Sequence, residues 1–344
     1  MLGQTVPPVA RAYDRQQRLE RGAAIAAVLR QWRRMGDDFG PSFLTIAPAL
    51  IEIVNFAQDK TATLAAGYIP DVLAATGQAR ADVPRWEINP RQWVGTAGSG
   101  IATEEVLYGA VIEAKTAVKA GATTAQALNG AGQWLSATVG TILADTQRGA
   151  EGAGTYSRRV SGYVRALQPP SCGRCVILAG RWYRKNAGFD RHPGCDCYGI
   201  PAAEDVAGDW TTDPTTYLNS LDEQGLAKVL GSKDNARVWL EFGQERPQAT
   251  MNQLVNAYRK SGGIRKAQLY DRTVKYTLEG TTRRGVAFHQ MSQVRQLVLQ
   301  GEVKDGRYRR LNAPRLMPSS IFQIATNQAH AERLLRDHGW LGIS

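Results

Sequence analysis

Residues 171–201 read SCGRCVILAGRWYRKNAGFDRHPGCDCYGIP, from Ser171 to Pro201. All four cysteines of the 344-residue chain, Cys172, Cys175, Cys195 and Cys197, fall inside this stretch, and His192 stands three residues before Cys195. A chain that confines its thiols to one short segment uses them together. Zinc takes four thiolate or imidazole ligands in a tetrahedron. The Cys172-x-x-Cys175 spacing lets one turn present two sulfurs to one ion, with Gly173 easing the turn. His192, Cys195 and Cys197 compete for the other two places, because H-x-x-C and C-x-C can each serve a single ion. The reading is one structural zinc on Cys172, Cys175 and two of the remaining three. Four protein ligands would close the site and leave no position to activate water. The spacing between the two halves matches none of the familiar finger patterns, so the segment points to metal without naming a family. Unpaired structural cysteines and a disulfide network are the alternatives.

Upstream, the chain reads as a helical domain over residues 1–150. Ile25, Val28, Leu29 and Trp32 follow the i, i+3, i+4, i+7 spacing of one buried face, with Arg18, Arg21, Arg30, Arg33 and Arg34 nearby. GDDFGP (Gly36–Pro41) breaks that helix, and a second is expected after Pro48, with Leu50, Ile53, Val54, Ala57 and Leu64 on one side. Residues 77–100 have loop composition, with Trp86 and Trp93 as aromatic anchors. A third helix is predicted over Thr103–Lys119, and a fourth from Thr123, where Gln126 completes a capping-box signal. Its apolar face carries Ala131, Trp134, Leu135, Thr138 and Ile142.

At GAEGAG (Gly149–Gly154) the character changes. Tyr156–Leu167 reads as a strand leading through Pro169-Pro170 into the cysteines, so residues 151–205 are expected to form a small α+β module stapled by zinc. Residues 206–318 read as mixed helical and extended. Helices are expected near 217–229 and 236–242, and two basic stretches, 262–285 and 301–318, are read as extended arms, the second with Lys304, Arg307, Arg309, Arg310 and Arg315. A helical tail over 319–344 closes the chain, with Ser320 capping ahead of Gln323 and Gly339 stopping the helix. The fold class is mainly α.

Composition limits function. Apolar residues make up 43% and charged residues 21%, as in an ordinary globular core. The net charge of +11 and a pI near 9.6 suit an anionic surrounding, most simply nucleic acid. No run of about 18 uncharged apolar residues is present, and the N-terminus lacks the basic-then-apolar order of a signal peptide, so no membrane association and a reducing compartment are expected. The zinc-deaminase pattern needs H-x-E ahead of P-C-x-x-C, and here no histidine precedes Cys172. G-x-S-x-G, the phosphate-binding loop and H-E-x-x-H are all missing from the sequence. His289, His330 and His338 stand apart and read as packing or surface residues. Asp190 and Asp196 are the only carboxylates beside the cysteines, and they read as orienting or solvated groups rather than as parts of a hydrolase. No enzyme, small-molecule substrate or catalytic residue is expected.

The run YVRALQPPSCGRCVILAGRWYRKNAGFDRHPGCDC (Tyr163–Cys197) resembles the signature of MuF-like phage minor capsid, or head morphogenesis, proteins of actinobacteriophage type. The matching elements are C-x-x-C followed by Leu178-x-Gly180, an aromatic at Tyr183, then Phe189, His192-Pro193-x-Cys195-x-Cys197 and Pro201. QLVNAYRKSGG at 253–263, EGTTRRGVA at 279–287 and the RLMPSSIFQIA…ERLLRDHGWL ending are similar too, so the resemblance covers residues 140–344. It implies a structural virion component inside the head near the portal, present in the host cytoplasm during assembly. It also implies partners in the major capsid and portal proteins, contact with packaged DNA, and a part in genome packaging or delivery. The alternative is a zinc-containing nucleic-acid-binding protein whose Arg174, Arg181, Arg184, Lys185 and Arg191 contact phosphates.

Overall fold

Helix periodicity builds most of what the chain becomes. The structure, a computed structural model, describes residues 6–167, 171, 173–178, 180–188, 195, 197–206, 210, 214–247, 250, 251, 253, 254, 265–269, 272–277 and 315–341. These fall into two units, Met1–Pro169 with Ala179–Thr212, and Pro170–Leu178 with Asp213–Ser344.

The first unit is a bundle of four helices carrying a small sheet. The helices are α1 (Pro8–Trp32), α2 (Phe39–Ala75), α3 (Thr103–Lys119) and α4 (Thr124–Ser157). Val28, Trp32, Ile46, Leu50, Val54, Leu107, Val111, Leu135 and Val139 meet in one apolar core, each almost fully buried. The capping box holds: the Gln126 amide donates to Thr123 Oγ1, and the Thr123 amide donates to Gln126 Oε1. Residues 79–93 supply only two short 3-10 turns, in keeping with their loop composition.

Two boundaries differ from the sequence reading. α2 begins at Phe39, not beyond Pro48, and contains both Pro48 and Pro70. An interior proline costs a helix about 3 kcal/mol. Burying Ile46, Leu50 and Val54 on the same helix returns roughly 1.5–3 kcal/mol each, which is enough to carry the helix through. α4, likewise, runs through GAEGAG to Ser157, so residue 150 lies inside a helix. Two of the glycines in that stretch, Gly149 and Gly154, are there for packing. A Cβ on Gly149 would lie 2.6 Å from Trp93 Nε1, and one on Gly154 would lie 2.7 Å from Ile88 Cδ1.

α2 is also long and apolar enough, by composition, to cross a membrane. Here it contributes Phe43, Ile46, Leu50, Val54, Ile69 and Val72 to the core and keeps Gln58 and Thr61 buried among hydrogen-bonding partners.

A three-stranded antiparallel sheet of order β2-β1-β3 follows: β1 (Gly162–Ala166), β2 (Trp182–Arg184) and β3 (Tyr198–Ala202). Val164 and Ala166 from β1 and Tyr198, Ile200 and Ala202 from β3 pack with Tyr13, Tyr68, Ile69, Val72 and Ala150 in a second apolar cluster. The segment read as a strand over 156–167 is therefore helical at its start and extended only from Gly162.

The second unit contains α5 (Gly173–Ile177), α6 (Pro214–Asn219), α7 (Glu223–Leu230), α8 (Lys233–Phe242), α9 (Pro318–Ile324) and α10 (Gln328–Asp337). A second sheet, β4 (Arg265–Leu269), β5 (Arg272–Thr277) and β6 (Arg315–Leu316), joins them. The basic stretch 262–285, read as an extended arm, is thus a paired antiparallel ladder where it is described, with Arg265 opposite Tyr276. The rest of both arms, residues 262–264, 270, 271, 278–285 and 301–314, lies outside the described residues.

Arg315 also departs from the arm reading. It is buried, donates from Nε to the His338 carbonyl at 2.8 Å and from Nη2 to the Gly339 carbonyl at 2.6 Å, and stacks 3.7 Å over the Trp340 ring. A guanidinium there closes the C-terminal end of α10, where unpaired carbonyls and the helix dipole favour a cation. Ser320 is inside α9 rather than at its cap, because Pro318 occupies the first helical position, and its Oγ accepts from the Lys275 amide. His338 Nδ1 accepts from the Leu316 amide, and His330 Nδ1 accepts from that of Thr326; both histidines serve packing.

Candidate metal centre and its clamp

The cysteine segment is fixed by elements on both sides of it in sequence. Cys175 sits in α5; Cys195 and Cys197 lead directly into β3. All three are buried, and their sulfur atoms lie within 4.8 Å of one another. A tetrahedral zinc with Zn–S bonds of about 2.3 Å holds its sulfurs about 3.8 Å apart, so the cluster fits a metal ion with little adjustment. Three of the five candidate ligands are thereby brought together. Cys172 and His192 lie outside the described residues, as do Asp190 and Asp196.

The surroundings are cationic. Arg165, 1% exposed in the middle of β1, points Nη2 at Cys195 Sγ, 3.9 Å away. Arg148 on α4 donates from Nη1 to the Cys195 carbonyl at 2.7 Å and more weakly to that of Cys197 at 3.5 Å, while its Nη2 pairs with Asp145 at 2.7 Å. Positive charge beside sulfur favours the thiolate, the form that binds metal. One guanidinium faces a sulfur; the other holds the Cys195-x-Cys197 backbone in place.

No family model, curated protein or solved structure matches the chain. The site therefore has to be read from its own chemistry.

Immediately after Cys197 the chain meets a second anchor. In β3, Gly199 is opposite Arg165, whose amide and carbonyl are both turned toward the β2 side. Gly199 therefore directs its own amide and carbonyl away from β1, along the open edge of the sheet. Glu151 Oε2 accepts from the Gly199 amide at 3.1 Å, and Tyr68 donates its hydroxyl to the Gly199 carbonyl at 3.2 Å. Two helices so satisfy a strand edge that would otherwise carry unpaired groups. Pro201, two residues on, occupies the equivalent outward position, where no donor is needed.

Glu151 is the centre of this anchor. Its Oε1 accepts from the Tyr13 hydroxyl at 2.7 Å and from Gln147 Nε2 at 2.8 Å. Burial raises its carboxyl above the ordinary range, and the Gly199 amide, Tyr13, Gln147 and Arg148 oppose that rise. Burial likewise raises the hydroxyls of Tyr13 and Tyr68, whose rings stack at 3.9 Å with 1° between planes.

Sequence reasoning named the cysteines but not Arg148, Glu151, Arg165, Tyr13 or Tyr68. A signal was present. Gln147 and Glu151 continue, at a spacing of four, the face on which Leu135, Val139 and Ile142 are buried, and Arg165 interrupts an apolar run between Val164 and Ala166. Polar residues on a buried face are paired residues. Of the phosphate-contact candidates, Arg181 and Arg184 are exposed and Lys185 is half-buried, donating to the Arg158 carbonyl. Arg191 lies outside the described residues.

Proposed function

We propose that the chain is a structural, non-catalytic minor component of a tailed-phage head, of the MuF-like kind, assembling with portal and major capsid proteins and kept in shape by one zinc ion. The observation that carries this reading is the behaviour of the run from Tyr163 to Cys197. Its start, in β1, pairs with β3, which begins at the residue after Cys197, and three of its cysteines converge in a buried cluster. A closed thiolate site whose carbonyls and strand edge are clamped by Arg148 and Glu151 is suited to holding shape. The net charge of +11 suits enclosure with DNA.

Zinc fits the donor set because soft thiolates on a buried site favour it over oxygen-seeking cations. Cys175, Cys195 and Cys197 would hold the ion, with Cys172 or His192 completing the shell. Metal analysis of the purified chain is expected to give about one zinc per chain, and a stable metal-free fold would refute that part. Mass spectrometry of purified particles from the genome that encodes the chain is expected to find it at low copy. Its absence from mature particles, together with a gene far from those for portal and scaffold, would overturn the capsid reading.

A further inference from the structure

Beside the clamp, within the first unit, lies a cleft of about 880 Å3 that neither the apolar core nor the cysteine cluster uses. One wall is the last turns of α4. The others come from the loop around Trp86 and from residues of β1 and the chain that follows β2. Trp86 and Tyr156 on its rim are each 46% exposed, their rings 6.0 Å apart and tilted by 42°. Both rings keep nearly half of their surface open to water. Lys185 holds its Nζ 5.8 Å from the Tyr156 ring centre and donates to the Arg158 carbonyl at 2.6 Å, so the cation is positioned rather than free to wander. Across the cleft, Tyr163 rests against Tyr183 with ring centres 5.6 Å apart and planes within 15°.

Gly152 on α4 leaves the cleft wall bare, as Gly22, Gly67 and Gly130 leave other helix surfaces bare. Glycine in the interior of a helix costs about 1 kcal/mol relative to alanine. Gly149 and Gly154 recover that cost by admitting Trp93 and Ile88, but a Cβ on Gly152 would meet nothing within 4 Å, and the residue is exposed on the cleft wall. Gly188, also in the cleft lining, is equally open. Bare backbone at both positions permits the close approach of another molecule. The acidic group at the floor, Glu151, does not oppose an anion strongly, because its carboxylate is already engaged by three donors.

Flat aromatic faces next to a fixed cation, on a chain of net charge +11, match a ligand that is both planar and anionic. A nucleic-acid strand has both properties. It must be single-stranded, since bases within a duplex are stacked on one another and cannot reach an isolated ring. We propose that this cleft binds a short run of single-stranded nucleic acid, with bases on Trp86 and Tyr156 and a phosphate at Lys185. The proposal does not depend on the capsid reading.

Fluorescence anisotropy of the full chain with a labelled oligothymidylate of about ten nucleotides, its RNA counterpart and a duplex of matched sequence tests it. Both single strands are expected to bind more tightly than the duplex, and the ratio between them shows whether the 2′-hydroxyl is read. Trp86→Ala and Tyr156→Ala are each expected to weaken single-strand binding by about 5- to 100-fold, the range for loss of one stacked base. Lys185→Gln should reduce the salt slope by about 0.7, the value for one phosphate on a single strand. Gly152→Leu, which raises helix propensity while filling the cleft, should abolish single-strand binding with an unchanged circular dichroism spectrum and an unfolding midpoint no lower than that of the natural chain. Duplex binding equal to or tighter than single-strand binding, or single-strand binding that survives both Trp86→Ala and Gly152→Leu, would overturn the proposal. So would no single-strand binding at low salt by the unaltered chain.

Discussion

The four-helix core and the strand segment that follows it are held together by different means. In the bundle, the residues that touch are Val28, Leu50, Val54, Leu107, Leu135 and Val139, with exposures at or near zero and no specific bond among their side chains. In the segment from Gly162 to Ala202 the fixed points are polar. Glu151 and Tyr68 hold Gly199, Arg148 holds Cys195, Gln78 accepts from the Ala203 amide at 2.8 Å, and the three sulfurs gather in one place. The reason is area. β2 is three residues long and the other two strands five, which is too little apolar surface to fix register without further ties. The bundle gains stability as a sum of many small contributions; the segment depends on a few individually large ones. Substitutions should reveal the contrast.

The largest effect is expected at the sulfurs. Cys197→Ser, or a strong chelator, should remove the metal, and a structural zinc site contributes on the order of 10 kcal/mol of apparent free energy where it is coupled to folding. Hydrogen exchange is the measurement that distinguishes the two regions. Protection in β1 and β3 should fall by orders of magnitude while α2 and α4 keep theirs. Uniform loss across the bundle would mean that the two regions are not held separately.

Next comes Glu151. Glu151→Ala leaves the Tyr13 hydroxyl, the Gln147 amide and the Gly199 amide without their acceptor. At about 1–3 kcal/mol for each buried group left unpaired, a loss of roughly 3 kcal/mol or more is expected in urea unfolding. Glu151→Gln keeps the shape but turns an amide donor toward one of those donors, so about 1–3 kcal/mol should be lost. The two proteins should also differ in pH response. Because burial raises the folded-state carboxyl above its ordinary value near 4.5, the folded protein binds that proton more tightly than the unfolded chain. This contribution is fully present below the unfolded value and is lost as pH rises through the folded one. Arg148, Tyr13 and the Gly199 amide face the carboxylate and limit the size of the shift. The unfolding midpoint of the natural chain should therefore fall with rising pH above about 4.5 relative to that of Glu151→Gln; parallel pH profiles would show that the carboxylate is ionised at no cost.

The same contrast explains what could be read from the sequence. α3 was legible to its ends because Leu107, Val111 and Ala114 repeat at helical spacing with glutamates in the first turn, and each is buried. The capping box of α4 was legible from Thr123 and Gln126 alone. The course of α4 through Gly149–Gly154 was not, since glycine is a breaker by local propensity and becomes a helix residue only where Trp93 and Ile88 need the space. Pro48 misled in the same direction. The gathering of Cys175, Cys195 and Cys197 was legible, because sulfur is rare and its clustering has few explanations. Its clamp was not, because Arg148, Glu151 and Arg165 are common residue types whose partners are distant in sequence. Tertiary pairing, not local pattern, gives them their roles.

In the bundle the expected effects are small. Ile46→Val removes one methylene from a residue that is 1% exposed, and about 1 kcal/mol is the usual cost. That is a fraction of what one acceptor atom of Glu151 supports, and a value above about 2 kcal/mol would mean the bundle is packed less tolerantly than its composition of small residues suggests.

The smallest effects carry the finest test, because two glycines three residues apart on one helix should respond with opposite sign. At Gly149 an added Cβ would stand 2.6 Å from Trp93 Nε1. Gly149→Ala therefore trades a helix-propensity gain of about 1 kcal/mol against overpacking of about 1–3 kcal/mol, and should destabilise. At Gly152 the Cβ meets nothing within 4 Å, so Gly152→Ala collects the propensity gain unopposed and should stabilise by about 0.5–1 kcal/mol. Urea midpoints of the two variants decide the matter. If Gly152→Ala also destabilises, the helix is not continuous at that position and the cleft has a different wall. If it stabilises as expected, the bare wall at residue 152 costs the natural chain that stability. The same substitution at Gly130, exposed and open on the same helix, is the control that shows whether position 152 differs from any other exposed helical glycine.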